Sequence, residues 1–340
     1  MIVRSVGSLF RDLGYNHTMI RTIHQKIALW YASNGRRELP WRNSSDSYHI
    51  YLSEVMLQQT QVKTVLERYY FPFLERFPTL KILGDSSLDD VLKSWEGLGY
   101  YNRAKNLHRT AQISRGTLPS SVEELMQLPG IGINTAHAVA AFAFHQPLPI
   151  MEANVKRILC RIYRLEEPAP KLLWHHAERL LDRENAYDYN QAMMDIGSLV
   201  CLPGDPLCSS CPLETICEGK EEPERYPRKK RRSIPLREEE IVIYSYDDRI
   251  ALRQRKERFL HGLWGFYAAQ ERPCGAEYLG DIRQRYTHFK LTCHIYHYPE
   301  SVPKQEHYFS LEAIEALALS KVDEKIIKLL LQSERSYTTI

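Results

Sequence analysis

Four cysteines crowd into one short stretch, Cys201-x6-Cys208-x2-Cys211-x5-Cys217, and they limit the possible folds more than any other feature. Pro203, Gly204, Pro206 and Pro212 bend the chain between them, so four thiolates can converge on one centre. Zinc accepts four thiolates, but its structural sites use two short Cys-x2–4-Cys hooks. The uneven gaps favour wrapping a larger object, a cubane 4Fe–4S cluster. Unrelated buried thiols are the bland alternative. Seven cysteines with four so placed indicate a metal site in a reducing compartment rather than a disulfide framework.

Ahead of that loop the pattern from Thr18 to Cys201 is almost wholly helical. Helices are predicted at Ile20–Ser33, Ser47–Gln58, Thr60–Phe77, Leu88–Trp95, Asn102–Ser114, Ser121–Leu128, Asn134–Phe144, Ala153–Tyr163, Lys171–Leu181 and Asp188–Val200. Residues 1–18 read as a flexible tail: Met1–Asn16 lacks the apolar core of a signal peptide, and Met19 is an alternative start. Residues 218–237 read as a linker, charged, proline-punctuated and carrying the run Arg228-Lys229-Lys230-Arg231-Arg232. Such a run is either solvated or set against phosphate. Strands at Glu240–Tyr246, Ile250–Arg253 and Leu291–Tyr298, with helices at Leu311–Leu317 and Val322–Leu331, make 238–340 a small α+β domain. At 340 residues the chain has room for two cores. A net charge of +3 means that a polyanion partner must meet a local basic patch. No apolar run is as long as a membrane span.

Leu128-Pro129-Gly130-Ile131-Gly132 is a tight turn whose glycines can set backbone N–H groups against a phosphate. A helix rich in small residues follows, and after Pro147 and Pro149 a second helix opens near Glu152. Glu152 is either a first-turn acid or a working carboxylate. Glu54 lies in a helix among Leu52, Val55, Met56 and Leu57, neighbours that raise a carboxyl pKa and favour a proton-donating form.

Together the cysteine spacing and the Leu128–Gly132 turn resemble the endonuclease III superfamily of helix–hairpin–helix base-excision glycosylases. More narrowly, the chain resembles the MutY-type adenine DNA glycosylases. Leu39-Pro40-Trp41-Arg42, Ser53–Val62, Trp95-Glu96-Gly97-Leu98-Gly99-Tyr100-Tyr101 and Tyr189–Gly197 carry this narrower likeness. It runs from about Ile20 to Cys217 and weakens into the last domain through Gly262-Leu263-Trp264-Gly265-Phe266.

The resemblance implies a mainly α, two-lobed glycosylase domain over 19–217, with the helix–hairpin–helix at about 121–145 and an iron–sulfur loop at 201–217. The small α+β domain at 238–340 would be Nudix-like and serve lesion recognition; it carries no pyrophosphatase box. Glu54 would protonate adenine N7 and Glu152 would stabilise positive charge on the sugar, the two-carboxylate logic of glycoside hydrolysis. Where this chain has Glu152 the family motif has Asp. The longer arm either folds back to serve or pairs with Lys156. Asn134 stands where strand-cutting relatives carry a Schiff-base lysine, which implies a monofunctional enzyme.

Trp41, Arg42, Leu57 and Gln191 match positions lining the adenine pocket. Gln58 would be a wedge in the duplex, and Tyr100 or Tyr101 would stack beside the opposing lesion. Gly130, Gly132 and Asn134 would meet DNA. Tyr286-Thr287-His288 falls where the family has a Phe-Ser-His loop that senses 8-oxoguanine. Cys201, Cys208, Cys211 and Cys217 would hold the 4Fe–4S cluster. The implied partner is duplex DNA with a mismatched adenine, met by a monomer in the bacterial cytoplasm at the nucleoid. The competing expectations are an endonuclease III-like or thymine-removing glycosylase, a lesion-binding protein weakened through Glu152, and an electron-transfer cluster protein.

Overall fold

A computed structural model describes residues 17–228, 233–269, 272–299 and 307–337. Of the tail expected at 1–18, residues 1–16 lie outside the described residues, as do the basic residues 229–232, whereas His17 and Thr18 open the first helix. Among the described residues fourteen α-helices and seven strands follow one another. The helices are α1 (His17–Asn34), α2 (Ser47–Leu57), α3 (Val62–Arg68), α4 (Tyr70–Arg76), α5 (Leu80–Asp85), α6 (Leu88–Ser94) and α7 (Asn102–Ser114). Next come α8 (Val122–Leu125), α9 (Ile133–Ala143), α10 (Ala153–Ile162), α11 (Pro170–Leu180) and α12 (Ala186–Leu199). The strands are β1 (Leu236–Tyr246), β2 (Arg249–Gln254), β3 (Trp264–Gly265), β4 (Tyr267–Ala268), β5 (Glu277–Arg285), β6 (Lys290–Tyr298) and β7 (His307–Phe309). Two helices, α13 (Leu311–Glu315) and α14 (Lys321–Tyr337), end the described chain. Among the described residues no helix is long and apolar enough to cross a membrane.

Two compact units are each assembled from two stretches of chain: Met1–Val55 with Leu118–Lys230, and Met56–Thr117 with Arg231–Ile340. In the first, α1, α10, α11 and α12 bury Ile23, Ile27, Ile158, Leu159, Leu173, Met193 and Ile196 in one core. A satellite core of Ile50, Ala138, Ala141, Phe142 and Ile150 seats α9, whose alanines allow the close approach.

In the second unit the sheet runs β3-β2-β1-β6-β5, with β1 and β6 parallel and β5 and β6 antiparallel. Leu291, Cys293 and Ile295 alternate inward on β6 and meet Val322, Ile326 and Leu330 of α14. The helices α3–α7 of this unit grip the sheet subdomain at several points. Tyr101 Oη donates to Leu319 O at 3.1 Å, Lys93 Nζ donates to Leu317 O at 3.0 Å, and Leu319 N donates to Glu96 Oε1 at 2.8 Å.

Several elements depart from the sequence expectation, among them the short strands β3, β4 and β7, which it does not contain. The helix expected over Thr60–Phe77 is two helices broken at Tyr69, because Pro72 has no N–H for the Arg68 carbonyl and crowds it. Helix α5, unforeseen, is started by Thr79, whose hydroxyl accepts from Ile82 N at 3.2 Å. Strand β5 was hidden because an irregularity between Tyr278 and Gly280 puts its inward residues, Leu279 and Ile282, out of two-residue alternation.

Candidate active site

Glu54 sits on α2 with Leu52 and Val55 beside it, and only 8 % of it is exposed. Burial pushes its carboxyl from the ordinary 4.5 up to about 8. The charge of Glu152 pushes the same way, and the Arg42 guanidinium opposes both. Glu54 and Glu152 therefore face a shared interior of one unit rather than separate surfaces.

Glu152 is the N-cap of α10, with extended backbone (φ −84°, ψ 172°) and no hydrogen bond from its side chain to the helix amides. A shorter Asp at an N-cap readily accepts from those amides. Here the longer arm leaves them, and burial raises its pKa too. Among the described residues no ion pair joins it to Lys156. Both carboxyls are pushed up, and the charge of Glu152 adds to the push on Glu54, so the two acids titrate as a pair.

Beside the dyad, Tyr187, Gln191 and Asp195 recur every four residues along one face of α12. Asp195 is fully buried. It accepts from Arg42 Nη1 at 2.7 Å and Nη2 at 2.9 Å, and from Arg36 N at 2.8 Å and Nε at 2.9 Å. Burial alone would raise its pKa, but the Arg42 and Arg36 bonds hold it below the usual carboxylate range. Tyr187 Oη donates to Arg42 O at 2.9 Å, and the Gln191 amide bonds the same hydroxyl. Of the buried side-chain polar atoms without a hydrogen-bond partner among the described residues, two lie here, the acceptor Gln191 Oε1 and the donor Arg42 Nε. Trp41 is buried, and Leu57 ends the helix that carries Glu54. Asp195, Arg36 and Tyr187 are site residues that the sequence reading does not single out; the four-residue spacing puts Tyr187 and Asp195 on the Gln191 face of α12, but their bonds to Arg42 and Arg36 arise only on folding.

In the hairpin turn Gly130, Gly132, Ile133 and Asn134 are exposed, while Ile131 is buried and anchors it. Gly130 has φ +75°, which glycine adopts without strain. Gly132 has an ordinary φ of −87°, and a Cβ added there would meet nothing within 4 Å. Among the described residues nothing crowds that point.

Cys201, Cys208, Cys211 and Cys217 are partly buried, form no disulfide, and line one small cavity with Arg161, Glu214 and Lys220. Cys211 lies within electrostatic range of the other three thiols. The almost fully buried Arg161 donates Nη1 to Cys201 Sγ at 3.2 Å. A thiolate-held anionic cluster suits this donor set and its cations. Among the described residues no three His, Cys, Asp or Glu side chains close on a single metal ion.

The second unit brings the remaining residues together. A cavity of about 540 Å³ is lined by Gln58, Tyr100, Tyr101, Tyr286, Thr287 and His288, among others. Tyr286 through Phe289 turn β5 into β6, with Tyr286 N donating to Phe289 O at 2.9 Å. Thr287 and His288 are exposed at the tip, whereas Tyr286 is held edge-on by Phe259 at 5.1 Å. Tyr100 is 42 % exposed in a left-handed conformation (φ 50°), and its hydroxyl meets Thr287 Oγ1 at 2.7 Å. Tyr101 is buried, accepting from Gly97 N at 3.2 Å.

Residues 52–183 match the HhH-GPD superfamily of base excision DNA repair proteins. The adenine DNA glycosylase of Buchnera aphidicola subsp. Baizongia pistaciae is 38 % identical over 252 residues, 71 % of this chain and 71 % of that protein. The chain belongs to the adenine DNA glycosylase family. The human adenine DNA glycosylase is also 38 % identical, over 64 % of this chain and 42 % of its own length. A thermostable thymine-DNA glycosylase structure matches with TM-score 0.55 and 26 % identity, covering 60 % of this chain and 97 % of that one. Endonuclease III in a non-covalent DNA complex shares the fold at TM-score 0.54 and 21 % identity, over 62 % of this chain and 99 % of its own. A mostly helical region followed by a sheet region is thus the architecture of an N-glycosylase family member.

Proposed function

We propose that this protein hydrolyses the N-glycosidic bond of adenine mispaired with 8-oxoguanine or guanine in duplex DNA. The observation that carries the reading is the buried Glu54–Glu152 dyad, with Glu54 protonated up to about pH 8. Adenine must leave the stack to reach these acids. Glu54 donates its proton to adenine N7, and the C1′–N9 bond breaks with its electron pair going to the base. The Glu152 carboxylate stabilises the cationic sugar. Water then adds to C1′, giving its proton back to Glu54, and an abasic site remains.

The unpartnered atoms fit the flipped base. Gln191 Oε1 accepts from the adenine N6 amine and Arg42 Nε donates to a ring nitrogen, with Trp41 and Leu57 as apolar walls. Guanine presents a carbonyl where adenine has its amine and leaves the Gln191 acceptor unmatched. Gly130, Gly132 and Asn134 present backbone amides to phosphate. Because Asn134 has no amine to form a Schiff base, the reaction stops at hydrolysis. On the opposite side Gln58 wedges the duplex, Tyr100 stacks because Tyr101 is packed away, and Tyr286, Thr287 and His288 read the 8-oxoguanine edge. The sheet subdomain is read as Nudix-like and the chain as a monomer of the bacterial cytoplasm, at the nucleoid.

Cys201, Cys208, Cys211 and Cys217 would hold a 4Fe–4S cluster. When bound, it supplies cross-linking of the loop rather than a chemical step.

Single-turnover adenine release from an 8-oxoguanine:adenine duplex tests the reading. The wild type and Glu152→Asp should release adenine, and Glu54→Gln and Glu152→Gln should lose about 100-fold or more. Tight duplex binding with no release by the wild type would leave a lesion-binding protein.

A further inference from the structure

Arg103, on the first turn of α7, is 8 % exposed and spends its guanidinium on backbone. Nη1 donates to Met56 O at 2.7 Å and Gln58 O at 2.8 Å. Nη2 donates to Gly99 O at 3.1 Å and Thr60 Oγ1 at 3.2 Å, and reaches Leu98 O at 3.4 Å. The same group lies 5.4 Å from the ring centre of Trp95 and 5.3 Å from that of Tyr100. These acceptors belong to two separate turns, one leaving α2 and one entering α7. Each turn holds a non-glycine residue in the left-handed region, Gln59 at φ 57° and Tyr100 at φ 50°. Such conformations persist only where the surroundings over-determine them. The planar five-donor fork does so for both turns at once, which a single ammonium cannot.

We infer that Arg103 is a positioning residue that locks the Met56–Thr60 turn to the Leu98–Tyr100 turn, so that Gln58 and Tyr100 enter the duplex as one rigid wedge. Its role in base release rests on the proposed reading of those two residues; the lock itself does not. Arg103 itself lines the cavity that contains them.

Arg103→Met and Arg103→Lys in the full chain test it. Amide hydrogen exchange at residues 57–60 and 97–101 should quicken about tenfold in both turns with Met, and in at least one turn with Lys, while α12 stays protected. Adenine release from a mismatched duplex should fall about tenfold or more, while release from an unpaired bulge, which needs no unstacking, changes little. Native exchange in both turns of the Lys variant would overturn the inference, as would equal losses on duplex and bulge. If Met does not fold, the Lys variant decides by the same readouts. Should the wild type release adenine from neither substrate, the proposed function fails and the exchange data still decide the lock.

Discussion

The hydroxyls of Tyr100 and Thr287 meet at 2.7 Å although 187 residues separate them. The residue proposed to stack in the duplex thus touches the turn proposed to read the lesion. Tyr100→Phe and Thr287→Val should each lower the preference for 8-oxoguanine:adenine over guanine:adenine. The double variant should be no worse than either, with a coupling of about 0.5–1 kcal/mol. Single-turnover rates on the two duplexes supply the cycle, and strictly additive losses would mean the contact does not matter.

Burial raises the Glu54 carboxyl to about 8, and in the proposed reaction its protonated form is the donor. Base release should therefore be flat at neutral pH and fall as pH rises through about 8. A rate that climbs across this interval would rule out Glu54 as the acid.

The same raised pKa has a thermodynamic face. Folded Glu54 holds a proton that the unfolded chain, titrating near the ordinary 4.5, releases. Its contribution to stability is complete below about pH 4.5 and is lost as pH rises toward 8. Glu54→Gln should therefore melt about 4 °C or more above the wild type at pH 9. The gap should narrow toward pH 5, as scanning calorimetry at the two pH values will show.

Asp195 neutralises two arginines at once from a fully buried position. Asp195→Asn should cost about 3 kcal/mol in denaturant unfolding, since it strands Arg42 without its counter-charge. Adenine release should drop with it, because Arg42 faces Glu54. Undiminished release at full stability would detach this clamp from the reaction.

Protein purified without oxygen should carry iron and sulfide in equal amounts and absorb broadly in the visible. Cys208→Ala should abolish that absorbance. Zinc in place of iron would reassign the four thiols.

Much of this was legible in the sequence because it is local. Glu54 declares itself by apolar neighbours one helix turn away, the hairpin by its two glycines, and the cysteine loop by spacing. The turn at Tyr286–His288 stands out in the sequence, yet β5, which leads into it, does not, because the irregularity at Tyr278–Gly280 erases the alternation. The choice between Tyr100 and Tyr101 was also illegible. Two identical rings in succession differ only in what packs on them, and Leu319, which takes the Tyr101 hydroxyl, is far along the chain. Arg103 and Asp195 act on backbone and on charges brought near by folding, and no run of neighbouring letters encodes that.

Tyr101, Lys93 and Glu96 fasten onto residues 317–319, so the carboxy-terminal part cannot be treated as an appendage. A chimera that swaps only residues after the basic linker would set a foreign sheet on native anchor points. Exchange between homologues should succeed when 56–117 travels with 231–340 as one cassette, and a cut at the linker should leave both fragments with ragged, sticky faces.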